Sequence, residues 1–463
     1  MFITRFKKEK EDIKVLEELK ELKELKELLQ EKKFANLKEY LEKVNSADIP
    51  SFFEDMNIEE TIIMYRLLSK EKAAEVFTEL DPEVKERLIG ALTDKELKEV
   101  MDELYMDDTV DLIEEMPSNV IKRILKNIDK EDRKLINELL NYPEDSAGSI
   151  MTTEFVDLKE NMTIEECFKK IKKEGMDKET IYTCYVLSLT RKIVGVVGLK
   201  DLLLADKNKK VSEIMYTNVI TIGTYEDQED VAKKFDKYNK YALPVVDNET
   251  RLVGIITIDD AIDVMQEEAE EDFEKMAAVI PSEESYFKTS VFTHTKNRII
   301  WLLVLMISSA ITGTVITKYE NAFAAIPLLV SFIPMIMGTG GNCGSQSSTL
   351  VIRGLAVEEI KLKDWLKVLW KEVRVALVVG VLLFVVNSAK VYLEYRDLKL
   401  CITLGVTLVS TIIVSKSIGS LLPIIAKKLK QDPAIMAAPL ITTVVDLCSI
   451  MLYFNIATII MGI

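Results

Sequence analysis

One carboxylate lies in the middle of the last apolar stretch of the chain. Asp446 is the single charged residue between Ala438 and Ile463. Counted from Ala434 at about 1.5 Å per residue, it lies ~18 Å along a helix, near the centre of a bilayer. A charged side chain there costs roughly 2.5–3.5 kcal/mol on insertion scales, which indicates a functional role such as cation binding. Helical spacing puts hydroxyl groups on the same face: Thr442, Thr443, Ser449 and Tyr453.

A second segment, "GTGGNCGSQSS", combines glycines with hydrogen-bonding side chains. Its four glycines fall within seven residues, 338–344. This density predicts an interrupted helix, which a membrane tolerates only inside protein or beside water. Close helix packing is the alternative explanation for the glycines. The polar side chains favour a water-lined ion path, with candidate residues Gly340, Gly341, Asn342 and Gln346, and Ala438, Thr442 and Thr443 opposite.

A third segment, "IDDAIDVMQEEAEEDFEKM", carries nine acidic residues and one basic residue, Lys275. Acidic residues three or four positions apart share one helix face and repel each other. The face is either simply solvated or neutralised by divalent cations against another acidic surface, since carboxylates are Mg²⁺ ligands. The segment "MDDTVDLIEEM" offers such a surface. The candidate regulatory ligands are Asp260, Asp263, Glu268, Glu271, Asp272, Asp108 and Asp111.

The elements that must position these residues differ between the two parts of the 463-residue chain. The first ~290 residues are rich in charge, whereas the remainder contains apolar runs long enough to span a bilayer, for which about 20 residues suffice. The hydropathy pattern predicts five spans, at 299–317, 323–339, 366–390, 398–426 and 434–460. Glu372, beside Lys371 and Arg374, is predicted to lie at the membrane interface.

Basic residues in the short loops predict the orientation of the spans. They are concentrated before the first span, after the second and after the fourth: Lys296, Arg298, Arg353, Lys361, Lys363, Lys367, Lys427, Lys428 and Lys430. The N-terminus is therefore expected in the cytoplasm and the C-terminus outside. The net charge of −16 argues against a nucleic-acid partner. Five scattered cysteines and one histidine, His294, argue against disulfides and histidine-based metal chemistry.

The cytoplasmic part reads as short stacked helices followed by a repeat. The repeat units start at "SAGSIM" and "KVSEIM", so that Met151 corresponds to Met215 and Gly195 corresponds to Gly254. Each unit has the order strand, helix, strand, strand, helix. With "LPVVD" and "RLVGIIT", the repeat resembles the tandem CBS domain, a regulatory module whose cleft often binds an adenine nucleotide such as ATP.

Taken together, "GTGGNCGSQSSTLVIRGLA", "DPAIMAAPLITTVVDLCSIMLYF", the tandem repeat and the acidic helix resemble the MgtE family of magnesium transporters. The resemblance covers essentially the whole chain. It implies a multidomain membrane protein: an all-α superhelical domain at 1–140, an α/β CBS pair at 141–261, an acidic connecting helix and linker at 262–290, and a five-helix transmembrane pore domain at 291–463.

The same resemblance implies a homodimeric Mg²⁺ channel of the cell membrane rather than an enzyme. Asp446 would line the ion site, and a helix from about Asp260 to Ser282 would plug the cytoplasmic mouth while the acidic clusters sense Mg²⁺. Three alternatives remain open on the residues alone. They are a membrane-anchored metal or nucleotide sensor, a proton-coupled carrier, and, ranked last, an intramembrane aspartyl protease, which needs two carboxylates sharing a proton.

Overall fold

The computed structural model describes residues 23, 25–54, 56–282, 286, 289–319, 326–436 and 438–462. The start of the predicted N-terminal domain at 1–22 and of the second predicted span at 323–325 lie outside these residues, as does most of 283–288. The described chain forms two compact units, divided between Met265 and Gln266, and each is described by itself.

The first unit begins with short helices, as predicted. Helices α1 to α9 span Phe34–Lys43, Pro50–Glu54, Ile58–Tyr65, Lys70–Thr78, Pro82–Ala91, Asp94–Met101, Met106–Glu115, Ser118–Asn127 and Lys130–Leu139. Local sequence starts several of them. In α6, for example, Thr93 accepts from the Glu96 amide while the Glu96 carboxylate accepts from the Thr93 amide, a capping box.

Contacts between residues about 30 positions apart stack these helices. Arg66 pairs with Glu96 at 2.8 Å, and Lys85 pairs with Glu115 at 3.2 Å. Arg123 bonds both Asp94 and the carbonyl of Leu92. A regular offset between contacting residues is the signature of a superhelical stack, in which each helix packs mainly on its neighbours.

The tandem repeat folds into two small sheets of the predicted order. The first contains β1 (Phe155–Lys159), α10 (Ile164–Glu174), β2 (Thr180–Leu187), β3 (Ile193–Gly198) and α11 (Leu199–Leu204). The second contains β4 (Ile222–Gly223), α12 (Gln228–Tyr238), β5 (Ala242–Val246), β6 (Leu252–Thr257) and α13 (Ile258–Met276). In each sheet the first strand is parallel to the second, and the second is antiparallel to the third.

A methionine near the start of each repeat unit packs against a glycine of the other repeat unit. A Cβ on Gly195 would lie 2.6 Å from the Sδ of Met215, and one on Gly254 would lie 2.7 Å from the Sδ of Met151. Each methionine therefore packs on the glycine of the other unit, at a place where no side chain fits. Backbone bridges from Thr152 to Ile255 and from Val196 to Tyr216 accompany these contacts.

Five long helices make up the described part of 291–463. They are α14 (Val291–Thr317), α15 (Ile333–Ala356), α16 (Trp365–Tyr395), α17 (Leu398–Lys428) and α18 (Ala438–Met461). Among the described residues, four of them are long and apolar enough to cross a membrane: α14, α16, α17 and α18, with α16 and α18 counted together with the 3₁₀ turns before them. The fifth, α15, is the glycine-rich and polar helix.

The interruption predicted in "GTGGNCGS" is wrong, because α15 runs through all four glycines without a break. The helix keeps its backbone hydrogen bonds internal, as an apolar surrounding requires. The glycines serve close packing instead. A Cβ on Gly344 would lie 2.8 Å from the Ile441 side chain, and one on Gly419 of α17 would meet the Gly344 backbone. The helix also lies further along the chain than the predicted span at 323–339.

Candidate functional site

Asp446 lies on α18 beside the glycine-rich helix α15. A Cβ on Gly341 would be 3.1 Å from Thr442 and 3.9 Å from the Oδ1 of Asp446, so the carboxylate faces a stretch of α15 with little side-chain cover. The hydroxyls of Thr442 and Thr443 each donate to the Pro439 carbonyl at 2.9 Å. The structure therefore brings Gly341, Thr442 and Asp446 together, with Asp446 half-buried in the single chain.

The other predicted residues of the ion path fall on two different faces. Asn342 and Gln346 are exposed and lie one helical turn apart on α15. Gly340 is buried, and a Cβ there would lie 2.8 Å from the Oγ of Ser449 and 2.9 Å from the Cγ2 of Thr411. Gly340 therefore lies on the side of α15 that packs against α17 and α18, not on the exposed side that carries Asn342. Ala438 begins α18, and its side chain lies outside the described residues.

An acidic cluster lies within the first unit, where α7 and α13 both contribute. Asp107 is buried, and its Oδ1 accepts from the Asp108 amide at 3.0 Å. Asp260, in the first turn of α13, accepts from the Thr257 amide at 3.1 Å and from its hydroxyl at 2.6 Å. Burial, and after it the neighbouring Asp260, raises the pKa of Asp108 to about 6.

Glu179, just before β2, is a member of this cluster that the sequence did not predict. Burial first and Asp260 second raise its pKa to about 8. Its Oε2 is buried and has no hydrogen-bond partner among the described residues. Asp111 and Asp263 lie at the edge of the cluster with exposed side chains. Within the part of the chain described, no three acidic, cysteine or histidine side chains converge closely enough to coordinate one ion.

The acidic helix α13 ends at Met276 rather than near Ser282. Its one lysine, Lys275, forms ion pairs with two carboxylates. The Nζ of Lys275 lies 2.6 Å from Glu271 and 2.8 Å from Asp432, which precedes α18. Although burial lowers the pKa of Lys275, the hydrogen bonds to Asp432 and Glu271 outweigh it and raise the pKa. Glu268 and Asp272 are half-buried on the same helix.

Glu372, predicted to lie at the membrane interface, is buried within the protein. It bonds Lys416, which lies 44 positions further along the chain in α17 and is also buried. Sequence reasoning missed Lys416, although a lysine inside the apolar run "IIVSKSIGSLL" is itself a signal, because an intramembrane charge needs a partner.

A cavity of about 640 Å³ lies between the two repeat units of the tandem repeat. Its lining includes Tyr185, Asp201, Tyr216 and Lys240. Its volume is in the range of small-molecule sites. The Tyr185 side chain is fully buried, and its hydroxyl has no hydrogen-bond partner in the described chain. The lining combines apolar side chains with hydroxyl and amide groups, one carboxylate and one ammonium group, a mixture that suits a nucleotide.

Three known families match parts of the chain. "Divalent cation transporter" matches residues 333–456, "MgtE intracellular N domain" matches 44–145, and "CBS domain" matches 147–208 and 211–267. The magnesium transporter MgtE of Thermus thermophilus is 35% identical over 402 residues, which are 86% of this chain and 89% of the relative. MgtE of Bacillus subtilis is 35% identical over 358 residues, 77% of this chain and 79% of the relative.

Two solved structures resemble the first part of the chain. The cytosolic domain of the Mg²⁺ channel MgtE in complex with ATP matches with a TM-score of 0.50 and 37% identity, covering 52% of this chain and 98% of that one. The soluble part of a magnesium transporter matches with a TM-score of 0.50 and 29% identity, covering 54% and 98%.

Proposed function

Because the chain belongs to the MgtE family of divalent cation transporters, it transports Mg²⁺ and is not an enzyme, and we propose that the ion crosses the membrane past Asp446. The supporting observation is that this carboxylate lies within the apolar helix α18, at the ninth of its 24 residues, and against Gly341, where α15 has no side chain. Mg²⁺ sheds water reluctantly, so a path with one carboxylate and several neutral polar groups suits a partly hydrated ion.

The exposed polar side chains of α15 support a homodimer. Asn342 and Gln346 are exposed in the single chain, although lipid is a poor neighbour for amide groups. A second copy that covers this face would place two Asp446 carboxylates about one two-fold axis, and together they would neutralise a divalent ion. The expected particle in a lipid nanodisc contains twice the 52.6 kDa chain, which mass photometry can measure.

Cytoplasmic Mg²⁺ would close this path through the acidic clusters. The cluster of Asp108, Asp111, Asp260 and Asp263, together with Glu179, holds carboxylates that are costly to ionise side by side. Bound Mg²⁺ would compensate their charge and keep α7 and α13 together. When Mg²⁺ is scarce, repulsion would separate them. The C-terminal half of α13, with Glu268, Glu271 and Asp272, would act as the plug.

The described helices and the basic loops support a multi-pass protein of the cell membrane. We place the N-terminus in the cytoplasm, because the loops after α15 and α17 carry the lysines and arginines. The C-terminus then lies outside. The cavity of the tandem repeat would hold an adenine nucleotide such as ATP, with Asp201 accepting from ribose hydroxyls and Lys240 near the phosphates.

The test is Mg²⁺ influx into liposomes that contain the purified chain. We expect Asp446→Asn to abolish influx. The matched control is Glu394→Gln, which removes an exposed carboxylate at the end of α16 and should leave influx unchanged. Full influx through Asp446→Asn would contradict the proposal, because Mg²⁺ would then cross by a path that does not need this carboxylate.

A proton-coupled carrier is the second candidate, because one intramembrane carboxylate can also relay protons. The two mechanisms differ in what drives the current. A channel current reverses at the potential set by the Mg²⁺ gradient alone, whereas a coupled carrier shifts its reversal potential when only the pH gradient is changed.

A further inference from the structure

A buried polar ring links three helices of the second unit. The Oγ of Ser347 on α15 donates to the Oε2 of Glu372 on α16 at 2.6 Å. The Nζ of Lys416 on α17 donates to the same Ser347 oxygen at 3.1 Å and lies 3.5 Å from Glu372. Ser347 is fully buried, Lys416 is 4% exposed and Glu372 is 9% exposed. Hydrogen bonds link all three side chains, and the charges of Glu372 and Lys416 compensate each other.

Stability alone is a poor explanation for this ring. Taking two charges out of water is expensive, and replacing a buried ion pair by well-packed apolar side chains is often neutral or stabilising. A buried pair does fix geometry, because either charge left alone in an apolar interior is strongly unfavourable. The ring therefore favours one arrangement of α15, α16 and α17 over other arrangements with similar apolar contacts.

The position of the ring shows what that arrangement controls. Ser347 and Lys416 each lie three residues from the crossing of Gly344 and Gly419, where the two helix backbones meet. Ser347 also lies ~7.5 Å along α15 from Asn342, and it points into the interior while Asn342 and Gln346 are exposed. A rotation of α15 that broke the ring would also turn the Asn342 and Gln346 side chains away from the exposed face that they occupy.

We propose that Ser347, Glu372 and Lys416 are positioning residues that set the rotation of α15 and so hold Asn342 and Gln346 on the Mg²⁺ path. This inference rests on the proposed function, because it assumes that the exposed face of α15 borders that path. The three residues do not touch the ion themselves. They act as the outer hydrogen-bond partners do in metal sites, where loss of one commonly lowers affinity about 10- to 100-fold.

The test compares the serine that bonds Lys416, Ser347, with the serine next to Lys416 in the chain, Ser417. Ser347→Ala removes the link between α15 and the ion pair, whereas Ser417→Ala removes a hydroxyl that only bonds the Ile413 carbonyl within α17, at 2.7 Å. In liposomes we expect Ser347→Ala to raise the Mg²⁺ concentration for half-maximal influx about tenfold. Ser417→Ala should leave that concentration unchanged.

A charge-free double variant separates positioning from stability. Glu372→Leu with Lys416→Met should keep or raise the melting temperature in detergent and still raise the half-saturating Mg²⁺ concentration as Ser347→Ala does. If this double variant does not fold, Ser347→Ala decides. Half-saturation at the wild-type value in Ser347→Ala, whatever its melting temperature, overturns the inference. Absence of Mg²⁺ influx in the wild-type chain overturns the proposed function instead.

Discussion

Binding of Mg²⁺ to the acidic cluster of the first unit should release protons. Glu179, with a pKa of about 8, is mostly protonated at pH 7, and Asp108, with a pKa of about 6, is mostly ionised. A metal ion binds the ionised carboxylate, so it must displace the proton from Glu179. Burial also raises the pKa of Asp111 to about 7, so we expect roughly one to two protons released per chain at pH 7, most of them from Glu179, and an apparent Mg²⁺ affinity that rises by about tenfold or more per pH unit between pH 6.5 and 7.5.

Titration calorimetry of the full chain in detergent measures this release directly. The Asp446→Asn background excludes heat from the proposed pore site. Identical titrations in two buffers of different ionisation enthalpy should differ by the heat of about one to two buffer protonations. Glu179→Gln should remove most of the difference, whereas Glu144→Gln, at an exposed carboxylate, should not. Equal heats in both buffers, or a release that Glu179→Gln does not reduce, would show that this reasoning is wrong.

Three further predictions concern single contacts. Lys275→Gln removes the bridge between Glu271 and Asp432, so channel closure in excised patches should need up to about fivefold more cytoplasmic Mg²⁺; an unchanged threshold would contradict this. Gly419→Ala should lower the stability of the detergent-solubilised chain by about 1–3 kcal/mol through overpacking, while Gly313→Ala, where an added Cβ meets nothing within 4 Å, should not; equal melting would refute the packing argument. Asp201→Asn should weaken ATP binding in calorimetry at least about tenfold, and a wild-type chain that binds no ATP would disprove the nucleotide site.

The fold was predictable where local pattern and burial agree. Alternating apolar residues, turns and the internal repeat are properties of neighbouring residues, so the short helices and the two small sheets followed from the sequence. The glycine-rich helix α15 did not. Glycine breaks helices in water because it exposes backbone, but between packed helices the same residue allows close approach, and the neighbours Ile441 and Gly419 are not visible in the local sequence.

The site was predictable only in part for a related reason. Asp446 stands out because a charge in an apolar run is rare, whereas Glu179 is one glutamate among many in a charged domain. The burial of Glu372 was not predicted, because Lys371 and Arg374 lie beside it in the sequence while its partner Lys416 is 44 positions away. Long-range pairing of this kind is set by the tertiary structure, and no spacing rule in a single sequence reveals it.

The reciprocal methionine contacts make each repeat unit depend on the other for its packing. Each repeat unit has a methionine that packs on the other unit and a glycine that the other unit's methionine covers. These residues are Met151 and Gly195 in the first repeat unit, and Met215 and Gly254 in the second. One unit alone would therefore leave its own glycine uncovered and its own methionine unpacked. The pair, rather than the single unit, is the smallest part of this module in which both glycines are covered and both methionines are packed.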